Sequence, residues 1–159
     1  MEEIIVEQGT YKIACAPNIL YSGGIGPCIV VGAIYKRRGY MSHSDTPYME
    51  ELDDLLRALK RDIKDRTKLS IYVVGASFDI DRDYEKPLVD HYVEEIKRTA
   101  VDSRARALEK ILDAGFITHV REERCGGVNI NRQLFLFLGE ERVEIIEETD
   151  EDLLFSSEL

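Results

Sequence analysis

The order of short apolar runs along the chain constrains its fold more than any other feature. These runs are rich in β-branched residues and end at Gly, Pro or charged turns, which is typical of β-strands. We predict strands over residues 4–6, 11–16, 29–34, 40–43, 69–74, 117–120, 133–138 and 143–146. Helical spacing of apolar residues predicts helices over residues 47–65, 87–96 and 103–114. This order favours an α/β (α+β) fold, a mixed β-sheet sandwich with helices packed on the outside.

The first predicted helix has a clear start signal. Thr46 is the expected N-cap and Pro47 stands at the first helical position. Glu50 and Glu51 follow in the first turn, where acids interact favourably with the helix dipole. At the other end of the helical region, Gly115 is the expected stop after the third helix.

The charge balance argues against nucleic acid and membrane surfaces as partners. The 159-residue chain carries a formal net charge of −10, whereas phosphate backbones and anionic lipids attract basic faces. The sequence does not open with a basic segment followed by an apolar stretch, and no apolar run approaches the roughly 18 residues of a membrane span. We therefore expect no nucleic-acid partner, no membrane insertion and a cytoplasmic location.

Acidic residues are concentrated at the C-terminus. Residues 147–159 contain six of them and no Lys or Arg. We predict a single domain over residues 1–146, followed by an acidic tail over residues 147–159. The tail carries Leu153, Leu154 and Phe155 between acids. Two interpretations stay open, a flexible solvated end and a short docking segment for a regulatory protein partner.

The cysteines do not form a disulfide framework. Cys15, Cys28 and Cys125 are too few and too scattered for one, and none belongs to a C-x-x-C pair. The histidines show no H-x-x-x-H spacing either, so we expect no metal and no cofactor. In a reducing compartment each cysteine is a free thiol, either a small buried hydrophobe or a reactive group.

Cys28 follows a glycine-rich loop. Residues 22–28 read SGGIGPC and lead directly into the predicted strand at 29–34. Glycines let the backbone approach a ligand closely, so the amides of Gly23, Gly24 and Gly26 are candidate donors to an oxyanion or substrate. A cysteine held between such a loop and a rigid strand is a candidate nucleophile.

A thiol nucleophile needs a base, since a free thiol with a pKa of about 8.5 is mostly protonated at neutral pH. His43 lies 15 residues after Cys28, at the far end of a predicted strand–turn–strand unit. A hairpin of that length returns the chain to its starting end, which predicts Cys28 and His43 side by side. From spacing alone, core packing for Cys28 and a surface or helix-capping role for His43 are open alternatives.

Four landmarks in this order resemble the chemoreceptor glutamine deamidases called CheD. They are a glycine loop that ends in cysteine, with a histidine after the next turn; a G-A-S strand end; a helix closed by glycine; and a late strand entry of the G-G-x-x-x-R type. In this chain they are GIGPC at 24–28 with RGYMSH at 38–43, VGAS at 74–77, residues 103–116, and CGG at 125–127 with NRQ at 131–133.

The resemblance implies a mixed α/β sandwich in which the cysteine attacks a glutamine side-chain amide and the histidine activates it, as in certain deamidating bacterial toxins. By this resemblance, Cys28 and His43 are the expected catalytic residues. Ser22 stands where the family has a threonine that assists the pair, and the hydroxyl is kept. The implied substrate is a glutamine-bearing protein, either a chemoreceptor or another cytoplasmic protein.

The sequence departs from the family at three places. Pro27 replaces a small residue that has an N–H, so an oxyanion donor must come from Cys28 or the neighbouring loop. Residues 44–47 replace the family's Phe-Met-Leu-Pro, and residues 78–102 form a longer, charged insertion. These departures bear on the substrate more than on the reaction type.

The sequence therefore predicts a protein-glutamine deamidase that works through a thioester. In such an enzyme Cys28 is expected to have a pKa well below about 8.5. Two other interpretations stay open. One is a non-catalytic binding or regulatory protein on the same fold, and the other is a cysteine-dependent small-molecule amidase or transglutaminase.

Overall fold

The computed structural model describes residues 1–45, 47–78 and 86–149, with the backbone alone described for residues 86–93 and 96. Within these residues the chain forms nine strands and two α-helices. The strands are β1 (Glu3–Ile5), β2 (Thr10–Cys15), β3 (Ile19–Tyr21), β4 (Ile29–Tyr35), β5 (Arg38–Ser44), β6 (Ser70–Gly75), β7 (Val120–Cys125), β8 (Ile130–Phe137) and β9 (Arg142–Thr149). The helices are α1 (Glu50–Asp62) and α2 (Lys86–Asp113), with 3₁₀ turns at Arg66–Lys68 and Ile117–His119.

The strands form two sheets. A five-stranded sheet has the order β2-β5-β4-β6-β7 and is antiparallel except between β6 and β7. A four-stranded sheet has the order β1-β3-β8-β9 and is antiparallel except between β1 and β3. The five-stranded sheet packs one face on the four-stranded sheet, and α1 and α2 cover its other face. The expected mixed-sheet sandwich of an α+β protein is confirmed, with both helices on one outer side.

Strand β4 lies in both of these interfaces and is buried along its whole length. Ile29 and Val31 face the helices, whereas Val30 and Ile34 face the four-stranded sheet. A strand buried on both faces carries apolar side chains at nearly every position, which explains the unbroken apolar run in the sequence. Burial of this apolar surface is the dominant favourable term in holding the layers together.

Helix α1 packs its buried leucines on the five-stranded sheet, as their spacing predicts. Its predicted start at residue 47 is wrong. Met49 precedes the helix with a φ of 48°, a left-handed conformation that ends any helical path through it. Pro47 therefore lies in a turn. Thr46, the predicted cap, lies outside the described residues.

The helices predicted over residues 87–96 and 103–114 form one continuous helix, α2. Residues 97–102 contain neither Gly nor Pro, so nothing in that segment interrupts the helical hydrogen bonds. Gly115 follows with a φ of 84°, as expected of a C-terminal stop. The strand predicted over residues 117–120 is wrong apart from Val120, because the chain first makes a 3₁₀ turn.

The other predicted strands are confirmed within three residues at each end, while the three-residue strand β3 was not predicted. Strand β9 runs to Thr149, past residue 146, where the sequence placed the end of the domain. The rest of the acidic tail and residues 79–85 of the predicted insertion lie outside the described residues. Neither of the described helices is long and apolar enough to cross a membrane.

We expect Gly32→Ala to lower the free energy of unfolding by about 1–3 kcal/mol. A Cβ at position 32 would lie 2.7 Å from Cδ2 of Leu134 in the facing sheet, which is closer than two carbon atoms pack. The leucine or the sheets must therefore move. Urea unfolding followed by circular dichroism measures the change.

Gly139→Ala is the matched control for this substitution. A Cβ at Gly139 would make ordinary contacts, the nearest being 3.6 Å from Pro17. A Gly32→Ala protein that unfolds at the same urea concentration as the control would contradict the close packing of the two sheets at β4.

Candidate active site

Cys28 and His43 lie at the same end of the five-stranded sheet and on the same face. Strand β4 begins directly after Cys28, and its antiparallel pairing with β5 sets Val30 opposite His43. Because side chains alternate along a strand, Cys28 and Val30 point to the same side, and both belong to the core between the sheets. Directly paired residues also share a face. Cys28 and His43 are therefore diagonal neighbours across the hairpin, which is the arrangement that their spacing predicts.

The two side chains are buried but are not hydrogen-bonded to each other. Cys28 is 6% exposed and His43 is 4% exposed. Diagonal pairs in a sheet lie roughly 7 Å apart between Cβ atoms, within reach of a long side chain. In the described part of the chain no hydrogen bond joins the Cys28 sulfur to a His43 ring nitrogen. A proton could pass directly between the two groups only after a small approach of one to the other.

Main-chain contacts fix the orientation of the His43 ring. Its Nδ1 lies 3.1 Å from the Val6 carbonyl oxygen. A carbonyl only accepts hydrogen bonds, so Nδ1 carries the proton of the neutral ring and Nε2 keeps a free lone pair. Val6 is held in turn, because its N–H donates to the Tyr21 carbonyl oxygen at 2.8 Å. This arrangement leaves Nε2 as the nitrogen available to accept a proton from a thiol.

Ser22 is buried at the end of β3, where its hydroxyl bonds to the main chain. It is 2% exposed, donates to the Gly23 carbonyl oxygen at 2.7 Å and accepts from the Leu134 N–H at 3.0 Å. None of the hydrogen bonds between described residues joins Ser22 to Cys28 or His43. Ser22 therefore holds the start of the glycine loop on β8, and the assisting role implied by the family resemblance stays a prediction.

The glycine loop is anchored to the strands on either side of it. Ile25 exchanges two main-chain hydrogen bonds with Arg132 of β8, at 2.7 and 3.2 Å. The carbonyl oxygens of Gly26 and Cys28 accept from the N–H groups of residues 77 and 76, at 3.0 and 2.6 Å. These bonds fix the position of Cys28 relative to both sheets.

Gly75 at the end of β6 makes this close packing possible. Its φ of 124° lies in a region that favours glycine. A Cβ there would lie 2.2 Å from the Cys28 carbonyl oxygen and 2.6 Å from Cγ2 of Ile25. Any side chain at this position would displace the cysteine. Residues 74–77 are one of the landmarks of the CheD resemblance, and the structure gives them a physical role in packing beside Cys28.

The glycine loop leaves amides available to a ligand. The N–H groups of Gly23, Gly24, Gly26 and Cys28 make no hydrogen bond to any described residue. Gly23 has a φ of 69°, which turns the loop without strain. Pro27 has no N–H to offer. The candidate oxyanion donors predicted from the sequence are therefore all unbonded within the described structure.

The charge near Cys28 opposes thiolate formation. Burial, and then the carboxylate of Asp45, raise the pKa of the Cys28 thiol. Asp45 follows β5 directly, and its Oδ2 accepts a hydrogen bond from Gln8 Nε2 at 2.7 Å. The direction of this shift is opposite to the lowered pKa expected of an activated cysteine. The protonated thiol is therefore the favoured form of Cys28 at neutral pH.

A buried arginine on the strand beside the loop was not predicted as a site residue. Arg132 is 5% exposed, and its Nε donates to Glu147 Oε1 at 2.9 Å, which lowers the pKa of the Glu147 carboxyl. Its Nη1 is buried without a hydrogen-bond partner among the described residues. The sequence did contain a signal, since Arg132 follows the same alternation as the inward-facing Leu134 and Leu136.

No protein-family model matches the sequence, and no curated protein sequence is significantly similar to it. Between residues 1 and 149, apart from the undescribed gaps, no three His, Cys, Asp or Glu side chains are grouped closely enough to hold a metal ion. The function is therefore inferred from the geometry around Cys28 and from the family resemblance of the sequence.

We expect Asp45→Asn to lower the apparent pKa of Cys28. The substitution removes the negative charge that disfavours the thiolate, while the asparagine Oδ1 can still accept the hydrogen bond from Gln8. The rate of Cys28 alkylation by iodoacetamide, measured from pH 6 to pH 10, reports this pKa because the thiolate is the reacting form.

The exposed Asp102→Asn substitution on α2 is the control for a change of net charge alone. An identical pH profile for Asp45→Asn and Asp102→Asn would show that Asp45 does not act on Cys28.

Proposed function

We propose that this protein is a CheD-like, cysteine-dependent protein-glutamine deamidase, with Cys28 as nucleophile and His43 as base. One observation carries the proposal. Cys28 and His43 share one face at the same sheet end, and the Val6 carbonyl binds Nδ1 of His43 so that Nε2 is free to accept a proton. The resemblance of the glycine loop and the later landmarks to the CheD family supplies the substrate class.

The first half of the reaction forms a thioester and releases ammonia. His43 Nε2 takes the Cys28 proton as the sulfur attacks the carbon of a glutamine carboxamide. Negative charge then develops on the amide oxygen, where the unbonded N–H groups of the glycine loop stabilise it. The protonated His43 gives its proton to the amide nitrogen, the C–N bond breaks, and ammonia leaves.

The second half hydrolyses the thioester. His43 Nε2 takes a proton from water, and the resulting hydroxide attacks the thioester carbon. The C–S bond breaks, the sulfur regains a proton, and the glutamine has become glutamate. The net reaction consumes one water and releases one ammonia. Asp45 contributes here, because its carboxylate repels the carboxylate of the product and favours its release.

The burial of Cys28 limits the shape of the substrate. Only a slender group can reach a sulfur at the edge of the inter-sheet core, and a glutamine side chain presents its carboxamide on a narrow two-carbon stem. Gly24 and Pro27 on the surface of the loop are exposed and have small side chains or none. This surface suits a protein segment that lies across it and inserts one glutamine. A chemoreceptor or another cytoplasmic protein is the partner class that the resemblance implies.

A second candidate function is favoured by the raised pKa of Cys28 and its lack of a hydrogen bond to His43. It is a non-catalytic binding or regulatory protein on the same fold, in which Cys28 only packs in the core. A small-molecule amidase and a transglutaminase would use the same cysteine and histidine, and they differ from the deamidase in the substrate or in the group that accepts the acyl chain.

Alkylation resolved by site separates the enzyme from the binding protein. Cys15 is an exposed free thiol in the same chain and serves as the internal reference. We expect Cys28, despite its burial, to react with iodoacetamide at least as fast as Cys15. We expect His43→Asn, whose amide nitrogen lies where Nδ1 does and can still donate to the Val6 carbonyl, to slow Cys28 by about 100-fold and to leave Cys15 unchanged. Peptide mass spectrometry quantifies both sites.

The binding protein gives the opposite result. Its Cys28 reacts more slowly than Cys15 because of burial alone, and His43→Asn changes neither rate.

Ammonia release identifies the reaction. With β-casein as the glutamine-bearing protein, we expect the wild type to release ammonia and to convert glutamine to glutamate, and Cys28→Ala to do neither. Added putrescine becomes incorporated if the protein is a transglutaminase, and free glutamine is consumed if it is a small-molecule amidase. Equal ammonia release by the wild type and Cys28→Ala would contradict all three enzymes.

A further inference from the structure

A cavity opens at the end of the sandwich opposite Cys28. Strand β4 runs away from the candidate active site and turns into β5 at this far end, where β6 and β7 also begin and β8 turns into β9. The cavity has a volume of about 360 Å³, which lies in the lower part of the range of small-molecule sites, roughly 300–1,000 Å³. Its lining has no residue in common with the Cys28 site.

The lining of this far-end cavity is cationic, although the protein as a whole is acidic. Lys36, Lys68 and Arg121 line it together with one carboxylate, Glu141. Elsewhere in the described structure about half of the lysines and arginines form ion pairs, as Lys110 does with Asp53 at 2.8 Å. The three cations of the cavity, by contrast, form no ion pair with any described residue. A second carboxylate is near, since the pKa of Asp65 is lowered first by its hydrogen bond from Thr67 and also by the charges of Lys36 and Lys68. Three cations then face two carboxylates, and an excess of positive charge in a concave site raises the local concentration of anions.

A β-bulge directs the arginine towards the cavity. Ile71 pairs with Val120 and Tyr72 pairs with Glu122, so Arg121 is an extra residue in β7 with no partner in β6. Such bulges turn a side chain away from the direction that the regular alternation gives it. Arg121 Nη1 donates to Ser70 Oγ at 3.2 Å, which holds the guanidinium at the cavity wall beside a hydroxyl.

The turn that carries Lys36 is strained. The β4–β5 hairpin has a two-residue loop, in which Lys36 has a φ of 46° and Arg37 a φ of 63°. Glycine or asparagine is the usual choice for such turns, and another residue in this left-handed region costs on the order of 1 kcal/mol. The Lys36 ammonium also lies 5.3 Å from the centre of the Tyr35 ring. Residues with strained backbone conformations of this kind are often found at binding or catalytic sites.

The remaining lining residues indicate the chemistry of the ligand. Ser70 and Tyr72 add hydroxyl groups next to the cations, and Ile34 adds an apolar wall. Three cations and two hydroxyls match the charge and the several acceptor oxygens of a phosphate better than those of a carboxylate. The apolar wall and the single carboxylate of Glu141 suit an organic group better than further phosphates.

We propose that the far-end cavity binds a small phosphate monoester. Arg121, Lys36 and Lys68 hold the phosphate, while Ile34 and the Tyr72 ring contact the organic group. This site is independent of the chemistry at Cys28, and it holds whether or not the protein is a deamidase.

Calorimetric titration of the full-length protein with phenyl phosphate at low ionic strength tests the proposal. We expect measurable binding to the wild type and to Arg98→Gln, in which an exposed cation of α2 outside the cavity is replaced. We expect Arg121→Gln and Lys68→Gln each to bind about tenfold more weakly or worse, since each removes one charge-assisted contact to the phosphate.

A variant in the strained turn separates a binding role from a structural one. Lys36→Asn places a residue that tolerates positive φ in the turn, so we expect a higher free energy of unfolding together with weaker binding of phenyl phosphate. If Lys36 served only to stabilise the fold, Lys36→Asn would lower the free energy of unfolding.

Four outcomes would overturn the proposal. They are no binding of phenyl phosphate by the wild type, equal affinities in Arg98→Gln and Arg121→Gln, binding of inorganic sulfate as tight as that of phenyl phosphate, and tighter binding of a phosphoserine peptide. The third outcome would indicate an unselective patch of positive charge, and the fourth a protein partner instead of a small molecule.

Discussion

The structure depends on the burial of both faces of β4. Ile29 and Val31 are buried on one face of the strand, and Val30 and Ile34 are buried on the other. The chain must therefore supply a layer for each face, the helices on one side and the four-stranded sheet on the other. That requirement puts Cys28, one residue before β4, at the edge of the inter-sheet core. The glycine loop can then reach β8 and the end of β6 at the same time.

The sequence predicts those parts of the fold and site that depend on local pattern. The hairpin from Cys28 to His43 was predictable because two apolar runs and a short charged turn set its register. The start of α1 was not, since it depends on the left-handed conformation of Met49, and three residues are too few for β3 to show a pattern. The raised pKa of Cys28 was also hidden, because it arises from burial under a second sheet and from Asp45.

The candidate site combines a cysteine in a fixed position with an environment that keeps its thiol neutral. Hydrogen bonds from residues 76 and 77 hold the segment that ends in Cys28, and Gly75 leaves room for it. Burial and Asp45 nevertheless keep the thiol protonated. The proposed reaction therefore depends on His43 Nε2 taking the thiol proton as the sulfur attacks.

The acceptor for His43 Nδ1 is the main-chain carbonyl of Val6, whereas many cysteine and serine enzymes use a carboxylate or amide side chain for this purpose. A main-chain acceptor cannot be deleted by changing the side chain of the residue that provides it. An acceptor of this kind leaves no signature in residue type, and comparison of sequences by conserved side chains would not detect it. The position of the Val6 carbonyl depends on the main-chain path before Thr10. Insertions or deletions there would therefore disturb the orientation of the His43 ring more than substitutions would.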